Sequence, residues 1–251
     1  MLARRAIGPA VFVLVTLLSS LLVLAPADSE ARDIKDPFEV MNRGTFWFND
    51  QLDAFILEPV AIGWDFIVPD GVQTAVGNFF ENLGFPVVFV NDLLQGKLRQ
   101  ATHDVGRFVM NTTIGLGGLL DPASHYGLER SNEDFGQTLG RWGSGSGPYL
   151  VLPLLGPSNP RDALGLAVDT VARVWPFFVD STITWSAAGA DTINTRSLLL
   201  EEVEVAKEGS LDYYAAVRNA YTQRRESLIG DYRREKETVE EDDLYYPDLG
   251  Q

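Results

Sequence analysis

Residues 36–50 read DPFEVMNRGTFWFND, and this stretch decides the fold class. Asp36 is a helix N-cap. Pro37 suits the first turn, where a missing N–H is no loss, and Glu39 faces the positive end of the helix dipole. Behind this start, Phe38, Met41, Thr45, Phe48, Leu52 and Phe55 recur at steps of three and four, which puts them on one helix face. Phe46, Trp47 and Ile56 make that face wider than an ordinary stripe. Two readings of so wide a face stand: packed core, or surface turned toward lipid. Pro59 is expected to end the helix or kink it.

The same grammar continues outward. A second helix is expected after Pro69-Asp70, with Val72, Val76, Phe79, Phe80 and Leu83 inward and interruptions at Gly84 and Pro86. The run at 87–90, VVFV, has the composition of a strand. A third helix covers 97–111, with Leu98, Ala101, Val105, Phe108 and Val109 on its apolar face. Gln100, His103, Asp104, Arg107 and Asn111 make its polar face, where Asp104 and Arg107 are spaced to pair. Residues 115–122 form a glycine-rich apolar loop. Residues 132–160 read as a loop or hairpin, too rich in aromatic and branched residues for disorder. Asn159-Pro160-Arg161-Asp162 opens a further helix, with Leu164, Ala167, Val168, Val171 and Trp175 on its apolar face. Two more helices are expected near 195–208 and 211–229, the last with Tyr214, Val217, Tyr221 and Leu228 on one side and Gly230 as its stop. From Glu235 the chain is acidic and reads as a solvated, flexible tail.

Composition narrows the function. The chain has 251 residues, 45% of them apolar, enough for one domain or two small ones. Lys and Arg number 20 against 35 Asp and Glu, a net charge of -15, which argues against nucleic acid as a partner. Cysteine is absent, which excludes disulfides, thiolate metal sites, cysteine nucleophiles and lipid attached through cysteine. The start, MLARRAIGPAVFVLVTLLSSLLVLAPADSEAR, has Arg4 and Arg5, an uncharged stretch over 6–27 and an A-x-A site at 25–27. It reads as a signal peptide over 1–27, with a retained anchor as the other reading. Cleavage leaves 18 basic and 35 acidic residues, a net charge of -17.

Enzymatic motifs fail on inspection. Gly143-Ser-Gly-Ser-Gly147 places Gly145 where a nucleophile elbow needs serine. Gly115-Leu-Gly117 lacks the third glycine of a dinucleotide loop, because Leu120 stands there. His103 and His125 are the chain's histidines, and the acids at 240–243 lack the spaced ligands of a calcium loop.

Several ordered stretches together resemble the MlaA (VacJ) family. They are residues 36–50, Glu58-Pro59-Val60-Ala61 with Trp64, FPVVFVNDLLQG at 85–96 and GRFVMNTTIGLGGLLDPA at 106–123. Residues 133–162 and RNAYTQRR at 218–225 complete the set. The resemblance implies an all-α fold, a ring- or disc-like bundle of amphipathic helices with a glycine-rich irregular hairpin and a central channel. The expected organisation is signal peptide 1–27, lipid-transport domain 36–230 and tail 231–251. It implies removal of mislocalised phospholipid from the outer leaflet of the outer membrane, with no reaction catalysed and no cofactor or metal. Implied partners are phospholipid, an outer-membrane porin trimer and a periplasmic lipid carrier. The implied place is the periplasmic face of the outer membrane, after Sec export. Many members carry a lipobox cysteine, and this chain has none. A soluble periplasmic lipid carrier is the other function considered.

Polar residues beside the family motifs are the head-group candidates: Asn42, Arg43, Arg107, Asn111, Arg161 and Asp162. For each, a structural salt bridge or cap is the competing role, and Asp162 sits where a helix start wants an acid. The gate-loop candidates are Gly140, Trp142, Gly143, Gly145, Gly147 and Tyr149, where glycines permit hinge motion and the rings supply contacts.

Overall fold

The computed structural model describes residues 36–245, and the surroundings of side chains to residue 230. The expected signal peptide at 1–27 lies outside the described residues. The architecture is helical, with one small hairpin. In chain order the helices are α1 (Glu39–Leu52), α2 (Glu58–Ile67), α3 (Asp70–Gln95), α4 (Leu98–Thr113), α5 (Pro122–His125) and α6 (Phe135–Arg141). They continue as α7 (Pro160–Ala172), α8 (Ser181–Leu198), α9 (Leu200–Gly209) and α10 (Tyr213–Tyr245). Strands β1 (Leu150–Leu152) and β2 (Gly156–Ser158) pair antiparallel, with Val151 opposite Pro157.

The burial pattern runs opposite to that of a protein in water. Among the described residues 21 polar or charged residues are buried against eight apolar ones, and 35 large apolar residues are exposed. Asn42 is 0% exposed while Phe66 is 91% and Phe178 81% exposed. Helices α1, α4 and α7 turn a largely polar stripe inward. Helix α1 buries Asn42 and Asn49 and exposes Phe38, Met41, Phe48 and, beyond it, Phe55. Helix α4 buries Ala101, Asp104, Arg107 and Asn111 and exposes Leu98, Val105 and Val109. Helix α7 buries Arg161, Gly165 and Asp169 and exposes Leu164, Val168 and Val171. So the wide apolar faces are exposed surface and not packed core. The inward placement expected for Val72 is corrected: Gln73 is buried and Val72 stands in the open. Among the described residues no helix is long and apolar enough to cross a membrane.

Several local expectations are revised. Pro59 does not end the first helix. A π-turn at Asp53–Leu57 widens the coil just before it, and Pro59 falls in the first turn of α2, where no N–H is needed. Helix α3 runs unbroken through Gly84 and Pro86 and takes the strand-like 87–90 run with it. The lost bond at Pro86 is tolerated because α3 is held on several sides, by α4, α6, α7 and α8. Phe85 stacks on Phe108 of α4 at 4.4 Å. The helix expected at 195–208 is two helices that meet at Leu199. Helix α10 passes Gly230, expected as its stop, and continues to Tyr245 across the stretch read as a flexible tail. Residues 246–251 lie outside the described residues. The irregular 132–160 segment holds the short helix α6, capped by Asp134 on the Gln137 N–H, and the hairpin.

The apolar core is correspondingly small: Tyr149, Val151 and Tyr214, with Phe46 and Tyr221 against them. The hairpin is held to α1 by two asparagines two turns apart. Asn42 donates to the Tyr149 carbonyl (3.0 Å) and accepts from the Val151 N–H (2.9 Å). Asn49 donates to the Leu152 carbonyl (2.9 Å) and accepts from the Leu154 N–H (2.8 Å). Four backbone groups in and beside β1 are thus satisfied by side chains.

Candidate functional site

The packing of α3 on α4 leaves a cleft of about 170 Å³, with Glu81, Asn82, Asp104, Arg107, Asn111 and Arg130 on its polar side and Phe85, Val88 and Phe108 on its apolar side. Asp121, outside the lining itself, holds three of these residues. Arg107 Nη2 donates to both Asp121 oxygens at 3.1 Å, Asn111 Nδ2 donates at 3.0 Å and Arg130 Nη2 at 3.0 Å. Arg107 also donates to Ser124 Oγ (3.1 Å) and to the Leu128 carbonyl. Burial alone would raise the Asp121 carboxyl. Hydrogen bonds from Ser124, Arg107, Asn111 and Arg130 outweigh it and hold the group well below the usual carboxylate range. Arg130 reaches across to Glu81 Oε1 (2.8 Å) and Asn78 Oδ1 (2.5 Å). Burial pushes the Glu81 carboxyl up, against the pull of Arg130. The cleft therefore presents charges of both signs beside amide groups, a lining suited to a head group that carries both signs.

Asp104, on the cleft's inner side, does not pair with Arg107 as their spacing suggests. Arg107 turns to Asp121, and Asp104 accepts from the Ser131 hydroxyl and, at 3.4 Å, from Gln100. Behind Asp104 lies Asp92 of α3, fully buried. Burial first, then the neighbouring Asp104 carboxyl, push the Asp92 carboxyl up to about 8. A carboxyl raised this far favours its protonated form at neutral pH, and neither Asp92 oxygen makes a hydrogen bond within the protein.

The six head-group candidates fall in different places. Arg107 and Asn111 border the cleft. Asn42 is committed to the hairpin and to Asp36, at 2.8 Å. Arg43 is exposed, bonded to Glu39 (2.8 Å) and Asp212 (2.6 Å), and lies 4.4 Å over the Tyr214 ring. Arg161 and Asp162 belong to a knot between α6, α7 and α10. Asp162 accepts from Arg161 Nε (2.9 Å), Tyr221 (2.6 Å) and Arg225 Nη2 (3.0 Å), and Arg225 also holds Asp134 (2.5 Å). Asp162 also takes its expected place in the first turn, under the Asn159 cap.

The gate-loop candidates divide as well. Gly140 lies against Ile229 of α10, where a Cβ would come within 2.7 Å. Trp142 is exposed but fixed by its indole N–H on the Leu94 carbonyl (3.1 Å). Tyr149 is buried between the rings of Tyr214 and Tyr221. Between these anchors Gly143, Gly145 and Gly147 lie exposed. Gly143 and Gly147 take positive φ, 93° and 74°.

Asp121, Arg130 and Glu81 escaped the sequence reading. One signal for Asp121 was present. Asx-Pro occurs at Asp36-Pro37, Asp121-Pro122 and Asn159-Pro160. Asp121 and Asn159 cap helix starts and each also holds a second helix. Asp36, expected as a cap, lies ahead of α1, whose N-cap Phe38 has no side-chain cap, and accepts from the Phe38 N–H and the Tyr214 hydroxyl.

Comparison with known proteins agrees with this architecture. A model of the MlaA lipoprotein family matches residues 34–228. The intermembrane phospholipid transport system lipoprotein MlaA of Shigella flexneri is 36% identical over 213 residues, 81% of this chain and 82% of that one. Its namesake in Haemophilus influenzae is 31% identical, covering 92% and 96%. An uncharacterised protein of Rickettsia bellii is 35% identical, covering 79% and 78%. A structure solved to explain the maintenance of bacterial outer-membrane lipid asymmetry superposes with a TM-score of 0.68. It is 36% identical and spans 78% of this chain and 99% of its own.

Proposed function

The chain belongs to the MlaA family, and from that premise we propose that it moves phospholipid out of the outer leaflet of an outer membrane toward a periplasmic carrier, catalysing no reaction. The observation that carries this is the inverted burial: apolar faces outward, and a polar interior of Asn, Asp, Gln and Arg. Such a body suits contact with a bilayer, and its interior offers a head group the partners that water would otherwise supply. A soluble carrier is disfavoured by the same faces, since exposures like that of Phe66 are costly in water.

In this reading the helices form a ring on the periplasmic side of the outer membrane, beside a porin trimer. The path for the head group runs by the α3–α4 cleft, with Arg107 and Asn111 in its wall and Arg130 at its rim. With no cysteine to carry a lipid anchor, the apolar helix faces supply contact with the bilayer, and a retained N-terminal segment is the other means of attachment. The exposed glycines between Trp142 and Tyr149 act as the gate. Gly145 has open space around its Cα, so Gly145→Val tests stiffness, whereas Gly147→Val also meets Pro160 at 3.2 Å. Transport is expected to fall in the double variant while helical content holds. Unchanged transport removes the gate.

The test of the function is phospholipid accessible at the surface of intact cells, with and without the gene. Deletion is expected to raise it and the wild-type chain to restore it. No change on deletion, in cells with no second copy of the family, refutes the proposed direction of transport.

A further inference from the structure

A second cavity lies away from the α3–α4 cleft. It measures about 410 Å³, within the range of pockets that hold small organic ligands, and opens between the end of α1, the π-turn, α9, α10 and β2. Its walls are apolar, from Leu199, Val203 and Val217. Ala206, Gly209 and Ala220 leave the space that larger side chains would fill. A Cβ at Gly209 would meet nothing within 4 Å.

One end of this pocket is polar. Arg196, 6% exposed, forms part of the lining. Its Nε and Nη2 donate to the Asp53 oxygens at 2.8 and 3.0 Å, and its Nη1 has no acceptor within the protein. A buried guanidinium N–H without a partner is costly and calls for an oxygen from elsewhere. The charge around it says which kind. Asp53 already neutralises Arg196, Glu58 approaches at 3.5 Å, and Asp50 nearby holds Lys207 at 2.8 Å. Three acids face two bases, so a second anion is repelled and an uncharged acceptor is favoured. An ester carbonyl at the head of a long apolar chain meets both demands.

We propose that this pocket holds one acyl chain of a phospholipid, with its ester toward the polar Arg196 end. This rests on the reading of the chain as a phospholipid transporter and gives that reading a site for the tail, separate from the head-group cleft. The chain is gripped by Val203 and Val217, and the rest of the lipid stays outside the pocket.

The test uses the full chain purified in detergent micelles and a phosphatidylethanolamine with a photoreactive diazirine in mid-chain. Label is expected on peptides covering 199–206 and 213–220. Ala206→Trp, which fills the pocket, is expected to cut that label about tenfold at unchanged thermal stability. Arg196→Gln is the second variant. It keeps a donor toward Asp53 and is expected to weaken labelling without emptying the pocket. A free fatty acid carrying the same diazirine is expected to label about tenfold less, because its carboxylate meets the surplus of acids. Label confined to the α3–α4 cleft overturns the pocket and leaves lipid transport standing. No label anywhere on the chain overturns both. Equal labelling by the fatty acid overturns the ester assignment.

Discussion

Gly165 of α7 and Gly189 of α8 are both interior helix glycines, and the structure gives opposite signs to the same substitution at each. An alanine normally stabilises a helix by about 1 kcal/mol relative to glycine. At Gly165 the added Cβ would lie 2.3 Å from the Gly136 nitrogen, 2.6 Å from its Cα and 3.0 Å from the Phe135 carbonyl carbon. These are backbone atoms of α6, so no side chain can swing aside. Restoring contact distances of about 3.5 Å requires α6 and α7 to part by roughly 1 Å. That shift stretches the Phe135 N–H bond to Asp169, now 2.8 Å, beyond hydrogen-bonding range. Overpacking costs about 1–3 kcal/mol, and the lost bond to a partly ionised carboxyl about 1.5–3. Against the helix gain, Gly165→Ala should destabilise by about 1.5–5 kcal/mol, or roughly 3–20 °C in Tm. At Gly189 nothing lies within 4 Å of the added carbon, and Gly189→Ala should stabilise by about 0.5–1 kcal/mol. The assay is urea unfolding in detergent micelles, followed by tryptophan fluorescence and far-UV circular dichroism. A Gly165→Ala protein as stable as wild type would refute the backbone contact between α6 and α7.

Two further outcomes follow from the charged interior. Asp121→Ala strands the buried Arg107 and should cost about 3–5 kcal/mol, much of it recovered when Arg107→Ala is added, as a double-mutant cycle would measure. Because the Asp121 carboxyl is held below its ordinary value, its contribution is present above about pH 4 and fades on acidification, a fade the Asp121→Asn variant should lack. Asp92 has the opposite sign. Its folded value of about 8 lies above the ordinary carboxylate value of about 3.9. The fold therefore keeps a proton that the unfolded chain has lost, and stability declines as pH rises from about 4 to about 8. Urea midpoints at pH 6 and pH 9 should differ for the wild type and converge for Asp92→Asn. Parallel profiles would show that Asp92 is already ionised at neutral pH.

The helices were legible because caps and periods are local. Asp36-Pro37 and Asn159-Pro160 announce α1 and α7 whatever surrounds them. Continuity was not legible. Pro59 and Pro86 carry breaking signals, yet a π-turn absorbs one and surrounding helices hold the other. The direction of burial was harder still, since periodicity fixes which residues share a face and says nothing of the medium that face meets. The stripe of Asn42 and Asn49 has helical spacing just as Met41 and Phe48 do, and only packing chooses between them. For the site, Arg107 and Asn111 were found as neighbours on one polar face. Asp121 and Arg130 were missed because they approach the cleft from a loop whose course local patterning does not set.

The polar interior bears on how stability varies with temperature. Unfolding of a water-soluble domain raises the heat capacity because apolar surface meets water, and this bends the stability curve into a dome with a cold limb. Here the large apolar side chains already face outward in the folded state, and the interior that unfolding exposes is mainly amide, carboxylate and guanidinium. Polar exposure lowers heat capacity rather than raising it. Within a bilayer or micelle the fold should therefore have a flat stability curve, nearly as secure in the cold as at the temperature of growth.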